Sequence, residues 1–184
     1  MAVRPIIFSG AMVNALLSGR KTQTRRLATS PLRRCEPRDL LYVRENWQEV
    51  AEGCLCITQA DYPQCVPAHF ENVPPIEEIK WRPSIHMPRR LSRLTLEVTG
   101  VRVEPLQAIS AADAEAEGVF RHIAPHSIDK VFREERGPIA VRYYRELWES
   151  LHGAGSWAAC PDVLVLTFKV ERGNVDRLPY RFAA

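Results

Sequence analysis

At 184 residues and 46% hydrophobic content, the chain is long enough to bury a core and short enough to form one domain. The formal net charge is only +3, but Lys21, Lys80, Lys130 and Lys169 are the only lysines; an arginine bias suits a nucleic-acid or nucleotide partner, because guanidinium groups grip phosphate bidentately and stack on bases, and it equally suits a high-GC coding preference. No stretch is apolar and long enough to span a bilayer, and no charged start leads into a hydrophobic run, which excludes a membrane partner and predicts a cytoplasmic location.

Residues Arg4 to Phe8 read as a short strand. Ser9 can cap a helix carrying Met12, Val13, Leu16 and Leu17 on one face, with Gly19 positioned to end it in a left-handed cap. The basic segment "GRKTQTRRL", residues 19–27, therefore leaves a helix C-terminus, where the macrodipole favours cations. "DLLYVR", residues 39–44, reads as a strand leading to Glu45, Asn46 and Trp47. From Val50 to Lys80 the chain is irregular and richer in proline, which predicts a long excursion with room for one hairpin.

That excursion holds Cys54, Cys56, Cys65 and His69, which could be assembled into a zinc site. The C-x-C spacing departs from the usual C-x2-C knuckle, and residues 54–60 also read as a short strand, so neither a metal nor a cofactor is expected. With Cys35 and Cys160 the cysteines are odd in number and unevenly spaced, against a disulfide framework.

Pro83 and Pro88 keep residues 81–90 out of regular helix, whereas Leu94, Leu96 and Val98 alternate as a half-buried strand does, with a bend at Gly100 before Val101 and Val103 resume. Ser110 and Asp113 form a capping-box-like start and Gly118 the matching stop, predicting a short helix over Ala111 to Glu117. Pro138 can open a longer helix with an apolar stripe of Val141, Tyr144, Trp148 and Leu151. "DVLVLTFKV", residues 162–170, is nearly continuous in apolar residues and should be buried on both faces. Short strands and helices without βαβ regularity predict an α+β domain around a small barrel.

Glu117 falls in the last turn of its predicted helix, where the dipole disfavours an anion, so a nearby cation is needed unless water solvates it. Lys21 could be that cation, giving an ion bridge or an acid-base couple. A neutral Lys21 could also activate the Thr24 hydroxyl, a weak nucleophile on its own. Arg20, Arg25 and Arg26 would push the lysine toward neutrality, while Glu117 would hold it charged. In a regular strand positions 21 and 24 face opposite ways, so convergence requires an irregular exit from the first helix. The plainer alternative is a solvated strand entry, with Glu117 on the surface. Arg44 and Glu45 can pair with one another, Trp47 and Trp81 suit a core as well as a base-stacking platform, and His86 suits a loop hydrogen bond as well as catalysis.

"RPIIFSGAMVNALLSGRKTQTRR", "DLLYVRENW", "WRPSIHMPRRLSRLTLEVTGVRVEPLQAISAADAEAEGV" and "ELWESLHG…DVLVLTFKV", in this order from about residue 4 to 170, resemble the ASCH domain in its bacteriophage-type form. The resemblance implies a PUA-like fold, a small mixed β-barrel with flanking helices, and an RNA or nucleotide ligand in a cleft lined by the G-x-K-x-x-x-R segment, here Gly19, Lys21 and Arg25, with Arg26 beside it. Some small bacterial members deacylate N4-acetylcytidine with a lysine, a threonine and a glutamate that match Lys21, Thr24 and Glu117, and a ribonuclease activity has been proposed for another branch. The resulting expectation is a nucleobase-sized charged hollow in which Lys21, Thr24 and Glu117 do any chemistry and Arg20, Arg25, Arg26, Arg44, Glu45, Trp47, Trp81 and His86 contact the ligand. This chain is longer than the deacylating members, and its 50–80 excursion bears on whether that hollow is open.

Overall fold

The computed structural model describes residues 1–50, 55–69, 73–119 and 136–178. Its strands are β1 (Val3–Ile7), β2 (Gln23–Leu27), β3 (Leu40–Arg44), β4 (Trp47–Val50), β5 (Leu55–Thr58), β6 (Leu94–Pro105) and β7 (Asp162–Arg172). The helices are α1 (Gly10–Leu17), α2 (Ala111–Ala116) and α3 (Arg136–His152). A five-stranded sheet runs in the order β1-β3-β6-β7-β2, with only the β1/β3 pair parallel, and β4 and β5 form a separate hairpin. The chain is thus an α+β protein. Among the described residues no helix is long and apolar enough to cross a membrane.

The continuous apolar run of β7 is explained by cover on both faces. Leu164, Leu166 and Phe168 join α1's Val13 and Leu16 in one core, whereas Val163 and Val165 join Ala140, Tyr144 and Trp148 of α3 in another. Successive strand residues point to opposite faces, so a strand between two helical layers needs apolar residues at every position. The β6/β7 ladder shifts register between Val98 and Gly100. A Cβ at Gly100 would lie 2.6 Å from the Thr167 hydroxyl oxygen, which is why glycine occupies the irregularity.

The sheet departs from the expected closed barrel. Among the described residues no ladder joins β1 to β2, and the two edges are spanned instead by the Arg26 side chain, whose Nη2 donates to the Ile7 carbonyl at 2.8 Å. The phase of β1 helps explain this. Leu40 N–H donates to Ala2 and Phe8 N–H to Arg44, so the even-numbered residues bond β3 and Val3, Pro5 and Ile7 face outward. Pro5 has no N–H to offer there, which spoils the edge for further pairing.

The excursion begins within the β4/β5 hairpin, contributing β5, and an ionic clamp at the start of β6 ties it back to the sheet. Arg93 donates from Nε and Nη2 to Glu45, at 2.8 and 3.0 Å, and from Nη1 and Nη2 to Asp61, at 2.6 and 2.9 Å. Burial pushes the Glu45 carboxyl above its ordinary range, against the pull of Arg93. Burial also pushes Asp61 upward, but its bonds to Arg93 outweigh that and hold it low. Arg93→Met should cost about 3 kcal/mol or more, because it strands a buried carboxylate. A carboxyl with a raised folded pKa destabilises above that pKa, so the deficit should shrink as pH falls from neutrality toward 4.5 and Glu45 takes up a proton. Urea denaturation of both proteins across that range measures it, and a deficit that stays constant would show that the clamp is not ionic.

Candidate functional site

The site begins where α1 ends. Gly19 adopts φ +70°, and the N–H groups of Arg20 and Lys21 both donate to the Ala15 carbonyl, at 2.9 and 3.0 Å. Lys21 is therefore aimed inward before β2 begins, and strand alternation does not govern it relative to Thr24. Meanwhile Ser110 and Asp113 close a reciprocal capping box on α2, which ends at Ala116 and leaves Glu117 as its cap residue, one position earlier than the sequence predicts. Gly118 follows at φ +79°, where a Cβ would sit 2.8 Å from the Ala15 Cβ and 3.1 Å from the Lys21 Cβ. Only glycine lets the two segments approach this closely.

Lys21 is 1% exposed and Glu117 4%. The Lys21 Nζ donates to Glu117 Oε2 at 2.7 Å, to the Glu117 carbonyl at 3.0 Å and to the Gln23 carbonyl at 2.8 Å. Three acceptors for three ammonium protons fit the charged lysine, although burial pulls its pKa below the ordinary lysine value, against the Glu117 carboxylate and with help from Arg26 and Arg25. The Arg25 side chain is fully buried and reaches Glu104 at 2.7 Å, Asp113 at 3.2 Å and Glu117 Oε1 at 3.6 Å. That last distance is too long for a hydrogen bond, so Arg25 Nη1 and Glu117 Oε1 face each other as a long ion pair and neither has a hydrogen-bond partner within the protein.

These groups line a cavity of about 60 Å³ with Thr24, Arg26 and Phe8 on one side and Tyr144, Trp148 and His152 of α3 on the other. A cavity this size holds a few waters or a small polar group, so the nucleobase-sized hollow expected from the sequence is not present: α3 lies across it. Thr24 is buried in the wall, but its hydroxyl makes no hydrogen bond to Lys21 or Glu117. The Phe8 ring is flanked by both Lys21 Nζ, 5.4 Å from its centroid, and the Arg26 guanidinium at 5.3 Å.

The other expected ligand residues lie elsewhere. Arg20 is exposed and donates to the Ser18 hydroxyl. Glu45 is consumed by the Arg93 clamp rather than paired with Arg44, which packs over Tyr42 and donates to the Ile85 carbonyl at 3.2 Å. Trp47 is buried and bridged to Arg82, Trp81 meets the Tyr62 ring edge-on, and His86 is exposed in a single 3-10 turn. Cys54 lies outside the described residues, and among those described no group of three potential metal ligands is close enough to hold an ion.

Sequence reasoning missed Phe8 and His152 and assigned Tyr144 and Trp148 to the core alone. The readable signal was the i, i+4, i+8 spacing of Tyr144, Trp148 and His152; the last two rings stack at 4.0 Å. Leu151, expected on the buried stripe, is 64% exposed at the cavity mouth.

No protein-family model matches the chain, and no curated protein does. Among solved structures it is similar to one described as "Crystal structure of hypothetical protein PH0355", at 13% identity over 93% of this chain and 100% of that one, with a TM-score of 0.39. A likeness this low carries no argument about fold or function.

Glu117→Gln removes a charge from between two buried cations and should destabilise the protein by about 3–5 kcal/mol at neutral pH. A lysine with a lowered folded pKa regains stability as pH rises through that pKa, so the deficit should narrow toward 10.5, where the unfolded lysine also titrates. Denaturation midpoints of both proteins on the alkaline side test this, and a deficit that widens there would contradict a charged Lys21.

Proposed function

We propose that this chain is a nucleotide- or RNA-binding domain of the ASCH type, with a PUA-like sheet opened at one seam, and that the Lys21–Glu117 cavity grips the polar edge of a nucleobase. The observation that carries this reading is the pair of buried atoms without hydrogen bonds, Arg25 Nη1 and Glu117 Oε1, 3.6 Å apart in two residues that line the cavity. Together they offer one donor and one acceptor, which complements the neighbouring acceptor and donor on the edge of a pyrimidine. Phe8 on one rim and the stacked Trp148–His152 pair on the other supply faces for a ring that enters edge first. Titration of the protein with fluorescent single-stranded RNA at several salt concentrations should give binding that weakens with salt by a log-log slope of about 0.7 per neutralised phosphate. Lys21→Ala should weaken that binding at least tenfold, since it unseats Glu117; unchanged affinity would defeat the proposal.

The same two atoms favour a second reading, an amidohydrolase for N4-acylated cytosine. The cavity volume suits an acyl group better than a whole base. Arg25 Nη1 would donate to the acyl oxygen as it gains charge, and water or the Thr24 hydroxyl would attack the acyl carbon. The amide C–N bond then breaks, and Glu117 Oε1 carries the attacking group's proton to the departing exocyclic amine. Where Thr24 attacks, water releases the carboxylic acid in a second step. Incubation with N4-acetylcytidine should yield cytidine on chromatography, with Glu117→Gln slowed by about 100-fold or more. Absence of cytidine would leave the binding reading alone.

A further inference from the structure

A second and larger cavity, of about 440 Å³, lies in the open seam between the β1 and β2 edges. Its floor is apolar, from Pro5, Ile6, Ile7, Pro31 and Leu32, and its charged lining is arginine alone: Arg4 from β1, Arg26 from β2 and Arg44 from β3. The partners of these three arginines differ in kind from those of the cations in the Lys21 cavity. Arg26 donates to the Ile7 carbonyl at 2.8 Å, Arg44 to the Ile85 carbonyl at 3.2 Å and Arg4 to the Arg34 carbonyl at 3.3 Å. The nearest carboxylate contact is Arg4 Nε to Asp39 at 3.9 Å, beyond hydrogen-bond range. Among the described residues, Arg26 and Arg44 make no ion pair with a carboxylate, although Glu117 acts on Arg26 through space. Neutral carbonyls satisfy donors without cancelling charge, so this seam keeps an excess of positive charge over a half-buried surface. The Nε atoms of Arg4 and Arg44 are buried and have no hydrogen-bond partner.

An incoming peptide strand is a poor occupant, because Pro5 removes the central donor of the outward β1 edge and the Arg26 side chain crosses the seam. A phosphate group suits a cavity whose charged lining is arginine alone, and the volume leaves room for more than the phosphate itself. The two cavities also share a wall: Arg26 lines both, and its guanidinium lies over the Phe8 ring that borders the Lys21 cavity.

We propose that the seam is the phosphate subsite for the unit whose base presents its polar edge to the Lys21 cavity, so that the ligand is phosphorylated, as a nucleotide or within a strand, and is not a free nucleoside. This inference rests on the nucleobase reading of the Lys21 cavity and adds the substrate class. The test compares binding of cytidine, its 5′- and 3′-monophosphates, inorganic phosphate and a short single-stranded RNA to the whole chain and to Arg4→Gln, Arg44→Gln and Lys21→Ala variants. The monophosphate of the correct side should bind about tenfold or more tightly than cytidine, and the phosphate-to-nucleoside affinity ratio should collapse in Arg4→Gln and Arg44→Gln. Because a ratio is read, a variant that merely folds poorly loses both affinities and leaves it unchanged. The RNA arm separates a free nucleotide from a strand: if a strand is the ligand, RNA binds more tightly than either monophosphate, and its salt slope drops by about 0.7 in each arginine variant. No advantage of any phosphorylated form over cytidine, or an advantage retained in both arginine variants, overturns the proposal while leaving cytidine binding sensitive to Lys21→Ala. Inorganic phosphate binding as tightly as the nucleotides also overturns it, because the seam would then act without the base.

Discussion

Burying the Lys21 ammonium constrains everything around it. A charge taken out of water is tolerated only when it is paired and fully hydrogen-bonded, and the residue that completes the pairing, Glu117, lies 96 positions away in sequence. The end of α2 must therefore dock on the entry to β2, and the backbone does so, with Thr22 N–H donating to the Ala116 carbonyl at 2.9 Å. From that contact follow the left-handed turn at Gly19, the double use of the Ala15 carbonyl and the exclusion of any side chain at Gly118. Arg25 enters the same corner as a second buried cation and draws Glu104 and Asp113 toward it, so the aspartate of the α2 capping box also serves as a counter-ion.

What could be read in the sequence was what local physics determines. The alternation of Leu94, Leu96 and Val98, the unbroken apolar run of β7, the Ser110–Asp113 box and the glycine stops each depend on residues within one or two turns of one another, and the elements form where those signals stand. Glu117 was legible for a related reason. An anion against the negative end of a helix is an electrostatic anomaly, and anomalies announce a partner even when they do not name it. The partners of Glu45 were not legible, because Arg93 carries no local signal and reaches it across 48 residues. Nor was the separation of Arg44 and Trp47 from the Lys21 corner, since it depends on β3 lying two strands from β7 and three from β2. The size of the cavity was beyond sequence reasoning altogether, because it is set by how closely α3 settles over β2.

The open seam and the buried pair are two outcomes of one arrangement of strands. Had β1 and β2 joined by a backbone ladder, Arg26 would have no gap to cross and the arginines of β1, β2 and β3 would have no shared cavity. Pro5 on the outward phase of β1 works against such a ladder. Because Arg26 lines both cavities, its backbone is held by β7 pairing while its guanidinium stays available to either side.

The two cavities also divide the electrostatic work. Around the Lys21 cavity the cations Lys21, Arg25 and Arg102 are matched by Glu104, Asp113 and Glu117 in close ion pairs, which leaves Arg26, on the wall shared with the seam, as the lining arginine without a close counter-ion among the described residues. A charge-paired corner with spare donors on Arg25 and Trp148 and a spare acceptor on Glu117 gains most by admitting an uncharged group of matching polarity. The seam has the opposite character, since carbonyl partners leave its arginines charged and its field extends into solvent. Attraction at distance and discrimination at contact are thereby assigned to different surfaces that meet at Arg26. A ligand that is anionic at one end and a neutral hydrogen-bonding edge at the other satisfies both, and neither a bare anion nor an uncharged base does so alone.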